Sequence, residues 1–206
     1  FDSDYINKGK SIVSELLKKK IAEQSEGAVI VNLEEYGLHK VLILKSDQTS
    51  LYLTKDLAMA IDRLNNYKLD KLIYITGSEQ KLHFQQLFKI LELYGFKQAK
   101  KCYHLTYELV MLPEGRMASR KGKIITYSEI KKELLSKIES EVKKRHKSWS
   151  SEKKQKAIQV IFSSAIKFDI LKQGPEKVII FSPDKALEFE GDTGPYIQYT
   201  YARISS

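Results

Sequence analysis

Across residues 8 to 24 the apolar Ile12, Val13, Leu16, Leu17 and Ile21 recur three and four positions apart, the spacing that lines one face of a helix. Gly27 follows, where a helix C-terminal cap is common. The rhythm then shortens. AVIVNL (28 to 33) and KVLILK (40 to 45) are β-rich runs joined by EEYGLH, which predicts a hairpin. Residues 1 to 50 therefore read as a small α+β unit.

The middle of the chain alternates element types. Residues 55 to 66 read as helix, LIYIT (72 to 76) as a short buried strand, SEQKLHFQQLFKILELYG (78 to 95) as a long amphipathic helix, and YHLTYELVML (103 to 112) as a second strand. Strand, helix, strand with a tight first turn is the order of a parallel sheet with crossover helices. Such sheets bind ligands outside the carboxyl ends of their strands. TGSEQ and PEGRMASRKGK both fall at that edge.

From residue 127 the pattern is mostly helical. One helix, 127 to 147, ends in the basic run KKRHK. A second, about 152 to 172, carries Ile158, Ile161, Phe162 and Ala165 toward a core, with Ser150 or Ser151 as its cap. Gly174 and Pro175 lead to VIIFSPD, and GDTGP (191 to 195) opens a last helix, YIQYTYARI, whose aromatic side chains read as a packed face. No repeat or low-complexity linker separates these pieces, so one continuous body is expected.

Charge sharpens the picture. The chain has 206 residues, with 35 basic against 26 acidic side chains, a formal net charge of +9. That favours a polyanionic partner such as nucleic acid or a nucleotide phosphate. The single cysteine, Cys102, excludes a disulfide framework and makes an intracellular, reducing compartment the default. No apolar stretch is long enough to cross a membrane as a helix, and nothing resembles a signal peptide. The chain opens on Phe1 rather than Met, as a piece of something longer would.

Three stretches carry candidate chemistry. In GRMASRKGK, 115 to 123, the cations Arg116, Arg120, Lys121 and Lys123 lie between small residues and two glycines. Converging cations on an open backbone suit a phosphate chain, although a solvated basic loop has the same composition. The loop matches neither the Walker pattern nor a dinucleotide fingerprint. In SLYLTKDLAMAIDR, 50 to 63, Thr54 is a candidate cap for a helix whose first turn holds Asp56. Asp56 is then either a ligand or a residue serving the helix end, and Tyr52 taken alone reads as core. In TGSEQKLHFQQ, 76 to 86, Gln80 and His83 are three apart on one helix face near the sheet edge. A lone histidine there is often only a packed or surface residue. KKRHK, 143 to 147, is either a contact for RNA backbone or a solvated helix end.

YLTKD, TGSEQKLHFQQLF, LPEGRMASRKGK and FEGDTGPYIQYTYARI, in that order and spacing, resemble the arginyl-tRNA synthetases, which are class I aminoacyl-tRNA synthetases. The resemblance covers nearly the whole chain and implies a fold: α/β, the second half of a Rossmann-like parallel-sheet nucleotide-binding domain, with a small α+β insertion and a C-terminal helical segment. It implies an insertion over 1 to 50, the second half of the catalytic domain over 51 to 130, and a helical connection over 131 to 206 leading toward an anticodon-binding domain. RMASR, 116 to 120, lies where the class carries its KMSKS signature, the loop that closes over the ATP phosphates. Arg116 stands for the first lysine, Ala118 for the first serine, Ser119 for the second lysine and Arg120 for the last serine. Arg120 or Lys121 then supplies the displaced charge.

The same resemblance implies roles. Arg116, Arg120 and Lys121 face the departing pyrophosphate. Tyr52, Asp56 and Gln80 hold the arginine substrate. His83, Val110, Met117 and Ser119 border ATP. No metal ligand is implied; ATP is a substrate, with Mg2+ accompanying it. The implied reaction joins the arginine carboxylate to the α-phosphate of ATP, releases pyrophosphate, and passes the arginyl group to the terminal ribose of tRNA(Arg). In the family, activation itself typically requires bound tRNA. A cytoplasmic enzyme follows.

One class signature is absent. The histidines are His39, His83, His104 and His146, and none belongs to a His-x-Gly-His stretch. The expectation is a partial chain, inactive alone. The alternative is a non-catalytic, synthetase-like module that binds RNA or protein.

Overall fold

A computed structural model describes residues 2–113, 126–188 and 190–206. The chain folds as two compact units, Phe1–Thr106 and Tyr107–Ser206, where the absence of a linker predicted one body.

In the first unit, helix α1 (Ile6–Lys18) buries Gly9, Val13 and Leu16. It ends six residues before the apolar pattern does, because Lys20 turns left-handed (φ 57°) and Ile21 and Ala22 both donate their N–H to the Leu16 carbonyl. Three antiparallel strands follow, β1 (Glu23–Ser25), β2 (Ala28–Asn32) and β3 (Lys40–Leu44), in the order β1-β2-β3. The β2–β3 hairpin is the expected one, pairing Val31 with Val41 and Asn32 with Lys40. Strand β1 was not expected, since EQS is short and polar. Gly27 does not cap α1. With Glu26 (φ 50°) it forms a two-residue turn of positive φ (79° at Gly27) between β1 and β2, the geometry that matches strand twist.

Helix α2 (Tyr52–Asn66), strand β4 (Leu72–Gly77), a 3-10 turn (Ser78–Gln80), helix α3 (Lys81–Tyr94) and strand β5 (Cys102–Tyr107) complete the unit. Gly95, at φ 88°, ends α3 in the left-handed conformation that glycine allows. Strands β4 and β5 pair, with α3 as the connection between them. One core holds the unit together. Leu16, Val31 and Ile43 from the first fifty residues share it with Leu57 of α2 and Leu87 and Ile90 of α3.

In the second unit, strand β6 (Val110–Met111) runs parallel to β7 (Ile179–Ile180), with Val110 opposite Ile179. The stretch 103 to 112 is thus two strands rather than one. The ladder breaks at Glu108, whose N–H donates to the Pro175 carbonyl at 2.8 Å. Helix α4 (Tyr127–Arg145) starts on a reciprocal capping box between Thr126 and Glu129. Helix α5 (Ser151–Leu171) is capped by Ser150, whose hydroxyl accepts from the Lys153 N–H. A short helix α6 (Pro183–Ala186) and helix α7 (Gly194–Ile204) follow.

Leu134, Ile138, Ile158, Phe162, Ala165 and Phe181 lie in the core of this unit. Gly194 lets α7 approach α5: a Cβ there would sit 2.4 Å from the Ser164 carbonyl oxygen. Within the chain, α7 buries Gly194 and Pro195, whereas Tyr196, Tyr199 and Tyr201 are exposed, so the aromatic face expected to be packed is open. No helix among the described residues is long and apolar enough to cross a membrane.

Candidate active site

Helix α2 begins earlier than its apolar pattern, and that changes the role of each residue in its first two turns. Leu51 is the N-cap, in extended backbone, with no side-chain cap. Thr54 does not cap the helix. It is fully buried, and its hydroxyl donates to the Ile43 carbonyl of β3, which pins α2 to the sheet. Asp56 is then the fifth helical residue, past the first turn, where helix-end electrostatics fade. Tyr52 is the first residue of α2 and 77% exposed, so its core reading is not realised; the Lys55 ammonium stands 4.9 Å from its ring centroid.

The partner of Asp56 is His83. The His83 Nε2 lies 2.7 Å from the Asp56 Oδ2, with the two side chains 28% and 27% exposed. A carboxylate only accepts, so Nε2 carries the hydrogen and donates it. Oδ1 has no hydrogen-bond partner among the described residues. Gln80, exposed, is the N-cap of α3 and sits one turn before His83. Tyr52 and Asp56 are four apart on α2, and Gln80 and His83 three apart where α3 begins, so each pair shares a helix face. The Asp56–His83 bond joins the two faces. Of the four residues singled out in the sequence, Asp56 and His83 are thereby in contact, and Tyr52 and Gln80 each lie one turn before them on the same helices.

Behind them lies a polar pair that the sequence did not single out. His104 Nε2 on β5 is 2.8 Å from the Thr76 hydroxyl on β4. Burial, together with the nearby His83, holds the His104 imidazole below its ordinary pKa. Phe84 lies between the histidines, its ring centroid 4.3 Å from that of His104 and 5.2 Å, edge to face, from that of His83. Alternation along β5 was the available signal, since His104 falls on the same side as Cys102. The Cys102 thiol is pushed up to about 11 by burial, so it stays protonated and is not a nucleophile at neutral pH.

Val110 belongs to the second unit, half-buried in β6. Arg116, Met117, Ser119, Arg120 and Lys121 lie outside the described residues. Among the described residues, no group of three His, Cys, Asp or Glu side chains is arranged to hold a metal ion. A cavity of about 1060 Å³ in the second unit is lined by residues such as Lys137, His146, Asp184 and Tyr199 and contains none of the residues named for arginine or ATP.

Residues 2–182 match the family of class I (R) tRNA synthetases, catalytic domain. The chain belongs to this family. Over its whole length it is 38% identical to the arginine–tRNA ligase of Halothermothrix orenii (205 residues aligned) and 38% identical to that of Bdellovibrio bacteriovorus (207 residues aligned). In each case it spans 36% of the relative's length. Among solved structures, Thermus thermophilus arginyl-tRNA synthetase is similar with a TM-score of 0.79 at 22% identity, over 98% of this chain and 40% of that one. The Plasmodium falciparum arginyl-tRNA synthetase gives 0.78 at 24%, over 98% and 34%. These likenesses show the fold: the chain is an α/β, Rossmann-like portion of a class I synthetase catalytic domain.

Proposed function

We propose that the chain is the arginine-recognising portion of an arginine–tRNA ligase, the enzyme that activates arginine with ATP and transfers it to tRNA(Arg). The observation that supports this reading is the 2.7 Å Asp56–His83 bond, with Tyr52 and Gln80 one turn away on the same two helices. A guanidinium is planar, permanently charged and rich in donors, and a carboxylate is its selective partner. Asp56 has the required spare capacity. One lone pair of Oδ2 is engaged and Oδ1 is unoccupied by any described residue, so a fork of two N–H donors has two oxygens to meet. Lysine brings charge without the fork, and citrulline brings donors without the charge. Hydrogen bonds to a charged group contribute about 1.5–3 kcal/mol, which corresponds to about tenfold or more in affinity.

In this reading the arginine carboxylate attacks the α-phosphate of ATP, pyrophosphate leaves, and the terminal ribose of tRNA(Arg) takes the arginyl group from the adenylate. Arg116, Arg120 and Lys121 stabilise charge on the departing pyrophosphate. His83, Met117, Ser119 and Val110 border ATP, His83 while its Nε2 also holds Asp56. Mg2+ enters with the ATP phosphates and keeps most of its ligands from them and from water. The enzyme acts in the cytoplasm, and the 1 to 50 segment is an insertion in its catalytic domain.

The test is a titration of the chain with L-arginine, L-citrulline and L-lysine. Arginine is expected to bind at least about tenfold tighter than either analogue. Equal binding of arginine and citrulline would overturn the reading. The chain alone, without a His-x-Gly-His stretch, is expected to give no arginine-dependent ATP–pyrophosphate exchange.

A further inference from the structure

We infer that His83 is a positioning residue for arginine: it holds one oxygen of Asp56 so that the carboxylate is oriented before the guanidinium arrives. This rests on the reading of Asp56 given above. An aspartate on a helix has a broad, roughly two-fold terminal torsion, so an unanchored carboxylate must be immobilised at the moment of binding. The Nε2–H of His83 fixes Oδ2 at 2.7 Å and leaves Oδ1 without a described partner. The Nε2–H engages one oxygen only, so the other oxygen of the carboxylate stays open to the ligand.

The donor is itself held. Thr76 on β4 and His104 on β5 are 2.8 Å apart. The His104 ring packs on Phe84, and Phe84 meets the His83 ring edge to face at 5.2 Å. Tyr74, from β4, lies against Phe84 at 4.8 Å. The strands therefore reach Asp56 through Phe84 and His83, while Thr54 fastens the same turn of α2 to Ile43. Asp56 is fixed from its backbone side by one contact and at its carboxylate by the other. This is the arrangement that lowers the ordering cost of binding a planar, two-pronged group.

The experiment compares arginine and citrulline titrations of the 206-residue chain as wild type, His83→Ala and His83→Gln, with the 15N imidazole spectrum of the wild type. His83→Ala is expected to bind arginine about tenfold more weakly and citrulline without change. His83→Gln, whose side-chain amide can donate to the same oxygen, is expected to return arginine affinity to within about threefold of wild type. The spectrum should show His83 as the Nε2–H tautomer. Unchanged arginine affinity in His83→Ala would overturn the inference, as would a glutamine variant no better than alanine, or the Nδ1–H tautomer. If the wild type does not prefer arginine over citrulline, the reading of Asp56 fails and the inference falls with it. That outcome is distinct from a wild type that discriminates while His83→Ala discriminates equally well.

Discussion

Gly9 of α1 packs against Thr54 of α2, and replacing it tests whether that contact sets the position of the site. A Cβ at Gly9 would lie 2.7 Å from the Thr54 carbonyl oxygen, 3.0 Å from its Cγ2 and 3.1 Å from its carbonyl carbon. None of these atoms is the end of a flexible side chain. The carbonyl belongs to the α2 backbone, and the Thr54 side chain is buried and bonded to the Ile43 carbonyl. Two effects oppose one another in Gly9→Ala. Helix propensity favours alanine by about 1 kcal/mol, whereas overpacking a close helix contact costs about 1–3 kcal/mol. With no yielding atom on the α2 side the cost belongs in the upper part of its range, and the net expectation is a loss of about 1–2 kcal/mol. Gly9→Val, branched at the same Cβ, should lose more. Urea unfolding followed by far-UV circular dichroism reads this as a lower midpoint at unchanged slope. Because Thr54 lies between Tyr52 and Asp56, arginine affinity should fall as well. An alanine variant as stable as the wild type, or more so, would refute the argument.

The Tyr74 hydroxyl is buried without a hydrogen-bond partner among the described residues, and burial raises its pKa. Tyr74→Phe removes an uncompensated polar group while keeping the ring on Phe84 and Phe88, so the melting temperature should hold or rise, by up to about 1 kcal/mol of stability; a clear fall would contradict this. His104 has a lowered folded pKa, caused first by burial and then by the nearby His83 imidazole. As pH falls below about 6.5 the unfolded chain takes up this proton before the folded one, so stability complete above that window is lost through it. In His104→Gln, urea midpoints measured between about pH 7 and 5 should fall less steeply than in the wild type, and an unaltered slope would refute the assignment.

Gln80 and His83 declare a shared helix face by spacing alone, whereas Tyr52 and Asp56 enter the candidate site together only through the family resemblance, because the apolar pattern starts their helix at residue 55. The bond between Asp56 and His83 joins positions 27 residues apart, and no local periodicity reports such a contact. The errors have local causes. Thr54 has the side chain of a cap, but the carbonyl of Ile43 competed for its hydroxyl and won, moving the helix start back to Tyr52. Gly27 served a hairpin turn because three polar residues, Glu23 to Ser25, paired as a strand on the strength of their neighbours. The 103 to 112 run looked continuous because its apolar content hides the backbone bond from Glu108 to Pro175. The α7 aromatics resembled a packed face, and composition does not say whether an apolar face is covered within the chain.

The central claim is that Asp56 reads the guanidinium group. Asp56→Asn keeps the size and one acceptor of the side chain while removing its charge. Titrating that variant and the wild type with arginine and with ATP separates the two ligands. The account predicts arginine affinity at least about tenfold weaker, a loss of about 1.5–3 kcal/mol, with the response to ATP unchanged. Arginine affinity equal to wild type, with the loss appearing on ATP instead, would contradict it.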